Sequence, residues 1–290
     1  MSTYTAAVRD YAHTTPLKTG QREIRDCGLE FVEVDPIHKA FAPMVRELRF
    51  DVAELAIATY LQAWEQGKGI SLLPIVMSGR PHHNTLAQLP DGRIRHPAEL
   101  VGRRVGVRAY SQTTGLWVRG VLKEDYGVEA DRITWVTTEG PHVEEYVEPP
   151  NVERSSSTLK DLLHDGDIAA VIGGGSGLVP VVQDWEEAEA AWLGRHATVP
   201  INHMLTVRTD LLRNDPEAVR GIYDAFTASI DDTRTDTSRS VRERAVTHGL
   251  DDTLLAGVRL AIRYAREQQL IRSAVTAEEL FADYTKFIHP

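Results

Sequence analysis

Two adjacent histidines, His82 and His83, follow Arg80 and Pro81 directly after the apolar run "ISLLPIVM". Such a group can ligate a metal, move a proton, grip an anion or simply fill a loop. An imidazole with an ordinary pKa near ~6.5 gives or takes a proton at neutral pH, and a guanidinium forks onto a carboxylate. Further along, Ser111, Thr113 and Thr114 stand where a polar turn opens a helical pattern. Unpaired N–H groups, the positive end of a helix dipole and three hydroxyls suit an anion, a carboxylate above all. The alternative is that Ser111 only N-caps its own helix, and the two uses are compatible. Arg119 lies two turns into that helix beside Trp117. Read from the residues alone, the arginine is solvated and the indole is core, with stacking on an aromatic ligand its other use.

Glu54 follows a predicted short strand and opens a helix, where α/β folds place cleft residues and where a carboxylate complements the helix dipole. Arg80 belongs to the same rim, or lies on the surface without a role. His82, His83, His203 and Glu54 would make a metal set only through a turn, because neighbouring side chains of an extended segment point to opposite faces. No fixed-spacing motif such as HExxH supports one. A divalent ion is therefore the lesser reading and no cofactor is expected. The turn "IGGGSG", Ile172 to Gly177, lacks the Lys-Ser/Thr of a phosphate loop and the spacing of a dinucleotide fingerprint. Its glycines, Gly174 central among them, indicate only a backbone that bends or approaches something closely.

The elements that must position these residues alternate. "YTAAV", "LEFVEV", "ISLLPIVM", "RRVGVRA", "RITWV", "IAAVIG" and "MLTVR" have strand length and composition. Between them run helical patterns, among them "KAFAPMVRELR", "AELAIATYLQAWEQG", "TTGLWVRGVLKEDYG" and "STLKDLLHDG". That order predicts an α/β fold with mostly parallel sheets. After "MLTVR" the chain reads as helix to its end, with "DDTRTDTSRS" a polar connection between helices and "EYVEPPNVERSSS" a surface loop.

Composition excludes several classes. The chain has 290 residues, room for about two domains, and its 42% apolar and 26% charged residues are those of a folded globular protein. A formal net charge of −10 with no basic run argues against nucleic acid as a partner. No stretch approaches the ~18 apolar residues of a membrane span, and no leader pattern opens the chain. The single cysteine, Cys27, can form no intramolecular disulfide and reads as a small buried side chain. A cytoplasmic location is expected.

Two segments carry more than periodicity: "ELVGRRVGVRAYSQTTGLWVRGVLKEDYGV", Glu99 to Val128, and "VPINHMLTVRTDLLRNDPEAVRGIYDAF", Val199 to Phe226. With "FDVAELAIATYL", Phe50 to Leu61, they resemble the 4,5-dihydroxyphthalate decarboxylase family over most of the chain, in the same order. Tyr110, Thr114, Trp117, Arg119, Gly120, Tyr126, Gly127, Pro200, Ile201 and His203 fall on its patterns. Trp117-x-Arg119-Gly120 and Pro200-Ile201-x-His203 are the specific parts. His83 matches a histidine of the family, His82 stands where relatives carry arginine, and Asn84 where they carry serine.

The resemblance implies a two-lobed type II periplasmic-binding-protein-like fold with the ligand in the cleft between lobes. Lobe one would comprise 1–107 plus 205–290 and lobe two 108–204, with hinges near 107–110 and 200–204. It implies decarboxylation, without a cofactor, of a hydroxylated aromatic carboxylic acid. Ser111, Thr114 and Arg119 would clamp the anion, helped by Arg80. His83 and His203 would share the acid and base roles, and Glu54 would act on a phenolic hydroxyl. The expected partner is a small aromatic carboxylate, with a homo-oligomer compatible with it. A solute-binding protein for a carboxylate, or a dehydratase on the same fold, is the alternative, and product analysis separates the three.

Overall fold

A computed structural model describes residues 2–233 and 240–289. Two mixed sheets organise it. The first has the order β2-β1-β3-β11-β4, formed by β1 (Ser2–Ala7), β2 (Cys27–Phe31), β3 (Val52–Ala56), β4 (Ile70–Gly79) and β11 (Ile201–Arg208). The second has the order β10-β5-β9-β6-β7-β8. It contains β5 (Leu86–Gln88), β6 (Arg104–Val107), β7 (Thr134–Thr137), β8 (Val152–Arg154), β9 (Ala170–Ile172) and β10 (Val179–Pro180).

All seven strand patterns read from the sequence form strands. Parallel pairings are the more numerous among the described residues, as expected, but both sheets are mixed: β1 pairs in parallel with β2 and β3, and β9, β6, β7 and β8 pair in parallel in turn, while β11 runs antiparallel to both β3 and β4, and β5 to both β9 and β10. β11 is the strand by which the chain returns to the first sheet, between β3 and β4.

Strand membership also places the first changeover between sheets after Gly79 and before Leu86, N-terminal to the 107–110 expected. β5 and β6 both belong to the second sheet. The three-residue β5 has no periodicity long enough to be read. The second changeover falls between Pro180 and Ile201.

Local chemistry accounts for the main elements. β4 is buried along nearly its whole length, as its unbroken apolar run requires when both faces are covered. It stands at the sheet's edge, which tolerates Pro74, and Val76 N–H donates to Thr247 O at 2.8 Å on the open side. The helix Thr113–Tyr126 ends at Gly127 with φ of 66°, a left-handed C-cap that glycine adopts without strain. The C-terminal third is helical, including Pro216–Thr233 and Asp252–Glu267. Of the connection "DDTRTDTSRS", residues 234–239 lie outside the described residues.

One apolar core runs through both sheets. It joins Leu55 and Met204 of the first to Val105 and Trp135 of the second, with Phe41, Trp117 and Tyr264 of the helices Phe41–Glu47, Thr113–Tyr126 and Asp252–Glu267 among them. No helix among the described residues is long and apolar enough to cross a membrane.

Candidate active site

β3 and β11 are antiparallel neighbours, with Leu205 opposite Glu54 and His203 opposite Ala56. Alternation then sets Glu54 and His203 on one face as a diagonal pair, within reach of long side chains. Glu54 Oε1 lies 2.5 Å from His203 Nδ1. The same oxygen accepts from the Tyr11 hydroxyl at 2.6 Å, and Oε2 accepts from the backbone N–H of Arg9 at 3.0 Å. The Glu54 residue is 0% exposed.

Burial by itself raises a carboxyl pKa, yet hydrogen bonds from His203, Tyr11 and Arg9 and the charge of His203 outweigh it. They hold Glu54 below the usual carboxylate range. An ionised Glu54 accepts, so Nδ1 of His203 donates and carries a proton. Nε2 is left as the atom that can work, and Phe41 fixes the ring by an edge-on contact at 5.2 Å.

His203 lines a cavity of about 270 Å³ between the sheets. Two helix N-termini converge there, those of Ile57–Glu65 and Thr113–Tyr126. Thr113 Oγ1 from the second accepts from Ala58 N–H of the first at 3.2 Å, and Gln112 and Thr114 complete that wall. Arg9 reaches the cavity from the end of β1 and Arg108 from the end of β6, the latter paired with Glu139 at 2.7 Å. Asp35 is an acidic residue at the same rim. Two guanidiniums and two positive helix ends make this a place for an anion.

Two more histidines face the cavity. His142 bonds Thr59 Oγ1 through Nδ1 at 2.9 Å and packs edge-on to Phe41 at 5.5 Å. Burial, then the charge of Arg108, pushes it down to about 4. His38 is lowered for the same two reasons. His142 is thus neutral at neutral pH. On the other side of His203 a second cavity of about 510 Å³ is lined by Tyr11, His13, Ser78 and Arg80, with Arg9 and Asn202 common to both.

Several expected site residues lie elsewhere. Glu54 sits in mid-strand, not at a helix start, because β3 runs to Ala56 before the helix begins. His83 is buried against Trp192, 3.7 Å from Asp125, and does not reach the cavity around His203. His82 is buried too, its Nε2 bonding Asn202 Oδ1 at 2.9 Å, so it touches the cleft only through Asn202. Ser111 is buried off the cavity wall, and Gln112 is the N-cap residue.

Trp117 is core, 0% exposed, donating from Nε1 to Ile201 O at 2.8 Å. Arg119 is core as well: Nε donates to Gln268 Oε1 and one terminal amine to Tyr110 O, both at 2.7 Å. Its guanidinium covers the Tyr110 ring at 4.1 Å. Gly174 lines a third cavity. Among the described residues no three His, Cys, Asp or Glu side chains converge to hold a metal ion, so the set His82, His83, His203 and Glu54 does not form.

Sequence reasoning missed Arg9, Arg108, His142, His38 and Asn202. Arg108 and Asn202 carried the signal available, each beside a matched motif residue at a strand end. Arg9 and His142 lie in irregular segments and His38 in a short 3-10 helix, and only the fold brings them together.

Two mixed sheets with a polar, cationic cleft between them define a two-lobed cleft-binding protein of the periplasmic-binding-protein type. Solved structures share this fold: the desulfurization enzyme DszB, 15% identical with TM-score 0.57 over 99% of both chains, and the periplasmic sulfonate-binding protein SsuA from Methylobacillus flagellatus, 12% identical with TM-score 0.58 over 98% of this chain and 93% of that one. No family model matches. Among curated proteins, 4,5-dihydroxyphthalate decarboxylase of Comamonas testosteroni is 29% identical over 245 residues, 76% of this chain and 72% of its own. The Pseudomonas putida protein of the same name is 30% identical over 177 residues, 58% of this chain and 68% of its own. The chain belongs to the 4,5-dihydroxyphthalate decarboxylase family and is a carboxy-lyase.

Proposed function

We propose that this protein decarboxylates a hydroxylated aromatic carboxylate, of which 4,5-dihydroxyphthalate, the compound in its relatives' name, is the first to test. The buried Glu54–His203 pair, opening on a cavity ringed by two arginines and two helix N-termini, carries this reading.

The ring supplies its own electron sink. A hydroxyl para to the carbon bearing the carboxylate loses its proton, and the electron pair moves through the ring to that carbon, which takes a proton. The resulting dienone breaks the bond to the carboxylate, carbon dioxide leaves, and the pair returns to restore the aromatic ring. The net change is one carboxylate and one proton converted to carbon dioxide and a C–H bond, so no organic cofactor is needed. A divalent ion is not part of the proposed steps.

Within the cleft, Arg9, Arg108 and the two helix ends hold the carboxylates. His203, positioned and kept protonated at Nδ1 by Glu54, takes the proton consumed in each turnover from solvent at Nε2 and delivers it from there to the ring carbon. His142, neutral at rest, receives the phenolic proton and returns it when the ring is restored. The expected partner is thus the small aromatic acid, with a homo-oligomer still compatible with it. A cytoplasmic setting goes with the reading, and fractionation of the native host tests it.

Carbon dioxide release from 4,5-dihydroxyphthalate is the decisive measurement. His203→Ala should lower turnover roughly 10²–10⁴-fold, the usual worth of a positioned acid or base, while the substrate still raises Tm. Turnover undiminished in that variant, or substrate recovered intact from the wild type, would overturn the proposal.

A further inference from the structure

The third cavity, about 450 Å³, is absorbed by nothing above. It shares Arg108 and Gln112 with the cavity that contains His203, so the two adjoin at those residues. Its far side is the glycine-rich turn that the sequence singled out, Gly173 to Ser176. We propose that this chamber is the distal subsite of the substrate cleft, taking an apolar substituent of the ring acid that ends in a carboxylate. The proposal rests on the decarboxylase reading.

Four observations point this way. Charge is the first: the chain carries a formal −10, yet no residue lining the chamber is acidic, whereas Arg108 and Lys160 both line it. A cationic chamber in an acidic protein selects anions.

Shape and polarity are the second. Leu159, Leu163, Ile172 and Leu178 line it beside the two cations, which matches an arm that is hydrocarbon along its length and charged at its tip.

The third is the turn. Gly173 and Gly174 have φ of +129° and +70°, and a Cβ built on either meets nothing within 4 Å. Crowding therefore does not require glycine there; the backbone conformation does. Gly174, Gly175 and Ser176 line the chamber from an exposed turn, and among the described residues their N–H groups donate to no backbone carbonyl, which leaves them open to an anionic tip as they are to water.

Fourth, Oε1 of Gln112, in the wall between the two cavities, is buried without a hydrogen-bond partner. A buried polar atom left so is costly unless a ligand meets it. The catalytic cavity, at about 270 Å³, also falls below the ~300–1,000 Å³ usual for ligand sites, and this chamber adjoins it on the Arg108 side as the cavity lined by Tyr11 and Arg80 does on the His203 side.

Binding is to be measured calorimetrically with three probes: phthalate, 4-pentylphthalate, and 4-(4-carboxybutyl)phthalate, the last two differing only at the tip of the arm. The wild type should prefer the carboxylated arm to the pentyl arm by about tenfold or more, the worth of a charge-assisted contact. Lys160→Ala, at an exposed position, should reduce that preference to about twofold or less and leave phthalate binding unchanged. Gly175 has no strained φ, and its Cβ would meet only the Leu178 side chain at 3.6 Å. Gly175→Trp should accordingly fold, weaken both armed probes and spare phthalate.

No preference in the wild type, or a preference that survives both substitutions, overturns the distal subsite. Carbon dioxide release from 4,5-dihydroxyphthalate, followed in parallel, keeps the two readings apart. Release without an arm preference removes the chamber alone. An arm preference without release supports the chamber while removing the decarboxylase.

Discussion

Glu54 holds the His203 imidazole and the Tyr11 hydroxyl through one oxygen, and the Arg9 backbone through the other. Glu54→Gln keeps the shape but removes the charge that fixes the His203 tautomer, and its amide has a donor where Tyr11 or His203 also donates. We expect kcat for carbon dioxide release to fall roughly 10²–10⁴-fold with KM little changed, the pattern of a lost orienting carboxylate. A rise in KM alone would move Glu54 from positioning to binding. Acid stability follows from the same residues. His142 and His13 are each pushed down to about 4, in both cases first by burial, from an ordinary 6.5. Between those values the unfolded chain binds more protons than the folded one, so stability is lost as pH falls from 6.5 toward 4. The lowered Glu54 acts with the same sign below 4.5. Tm should therefore drop by several degrees from pH 7 to pH 4.5, and His13→Phe should flatten that slope; an unchanged slope would contradict the assignment.

At the scale of elements, the motif Trp117-x-Arg119-Gly120 is a packing device. Gly120 is where the helix Thr113–Tyr126 meets the helix Asp252–Glu267, and a Cβ there would stand 2.1 Å from Tyr264 Cε2. Gly120→Ala should cost about 1–3 kcal/mol as overpacking, read from the denaturation midpoint. Arg119→Met leaves Gln268 Oε1 and Tyr110 O without their donor, and each buried acceptor so stranded costs about 1–3 kcal/mol. Both variants should lower Tm and leave the KM of those that remain folded unchanged. A raised KM at unchanged Tm would return Arg119 to the site. The helix therefore contributes its N-terminus to the cleft and its interior to the fold, a division that spacing does not reveal because one face of a helix serves both.

For the molecule as a whole, the common apolar core predicts cooperative unfolding. Leu55, Met204, Val105, Trp135 and Tyr264 belong to a single buried cluster although they come from both sheets and a C-terminal helix. Scanning calorimetry should give one transition, and two resolved transitions would mean that the lobes are energetically separate.

Seven strands, the long helix opening at Thr113 and the helical C-terminal third were legible in the sequence, because apolar periodicity and glycine stops are local properties. The short β5, β8 and β10 were not, since none stands in an apolar run of strand length as the equally short β9 does within "IAAVIG". His203 was legible through its motif. What only the tertiary structure decided is the company it keeps. The β3–β11 register brings Glu54 to its Nδ1, while His83, equally promising by type, packs against Trp192. Arg9, Arg108 and His142 reach one cavity from segments far apart in the chain. Residue type and spacing determine which chemistry is available along a chain. Which side chains share one buried volume, and hence one electrostatic environment, is fixed only by non-local strand pairing and packing.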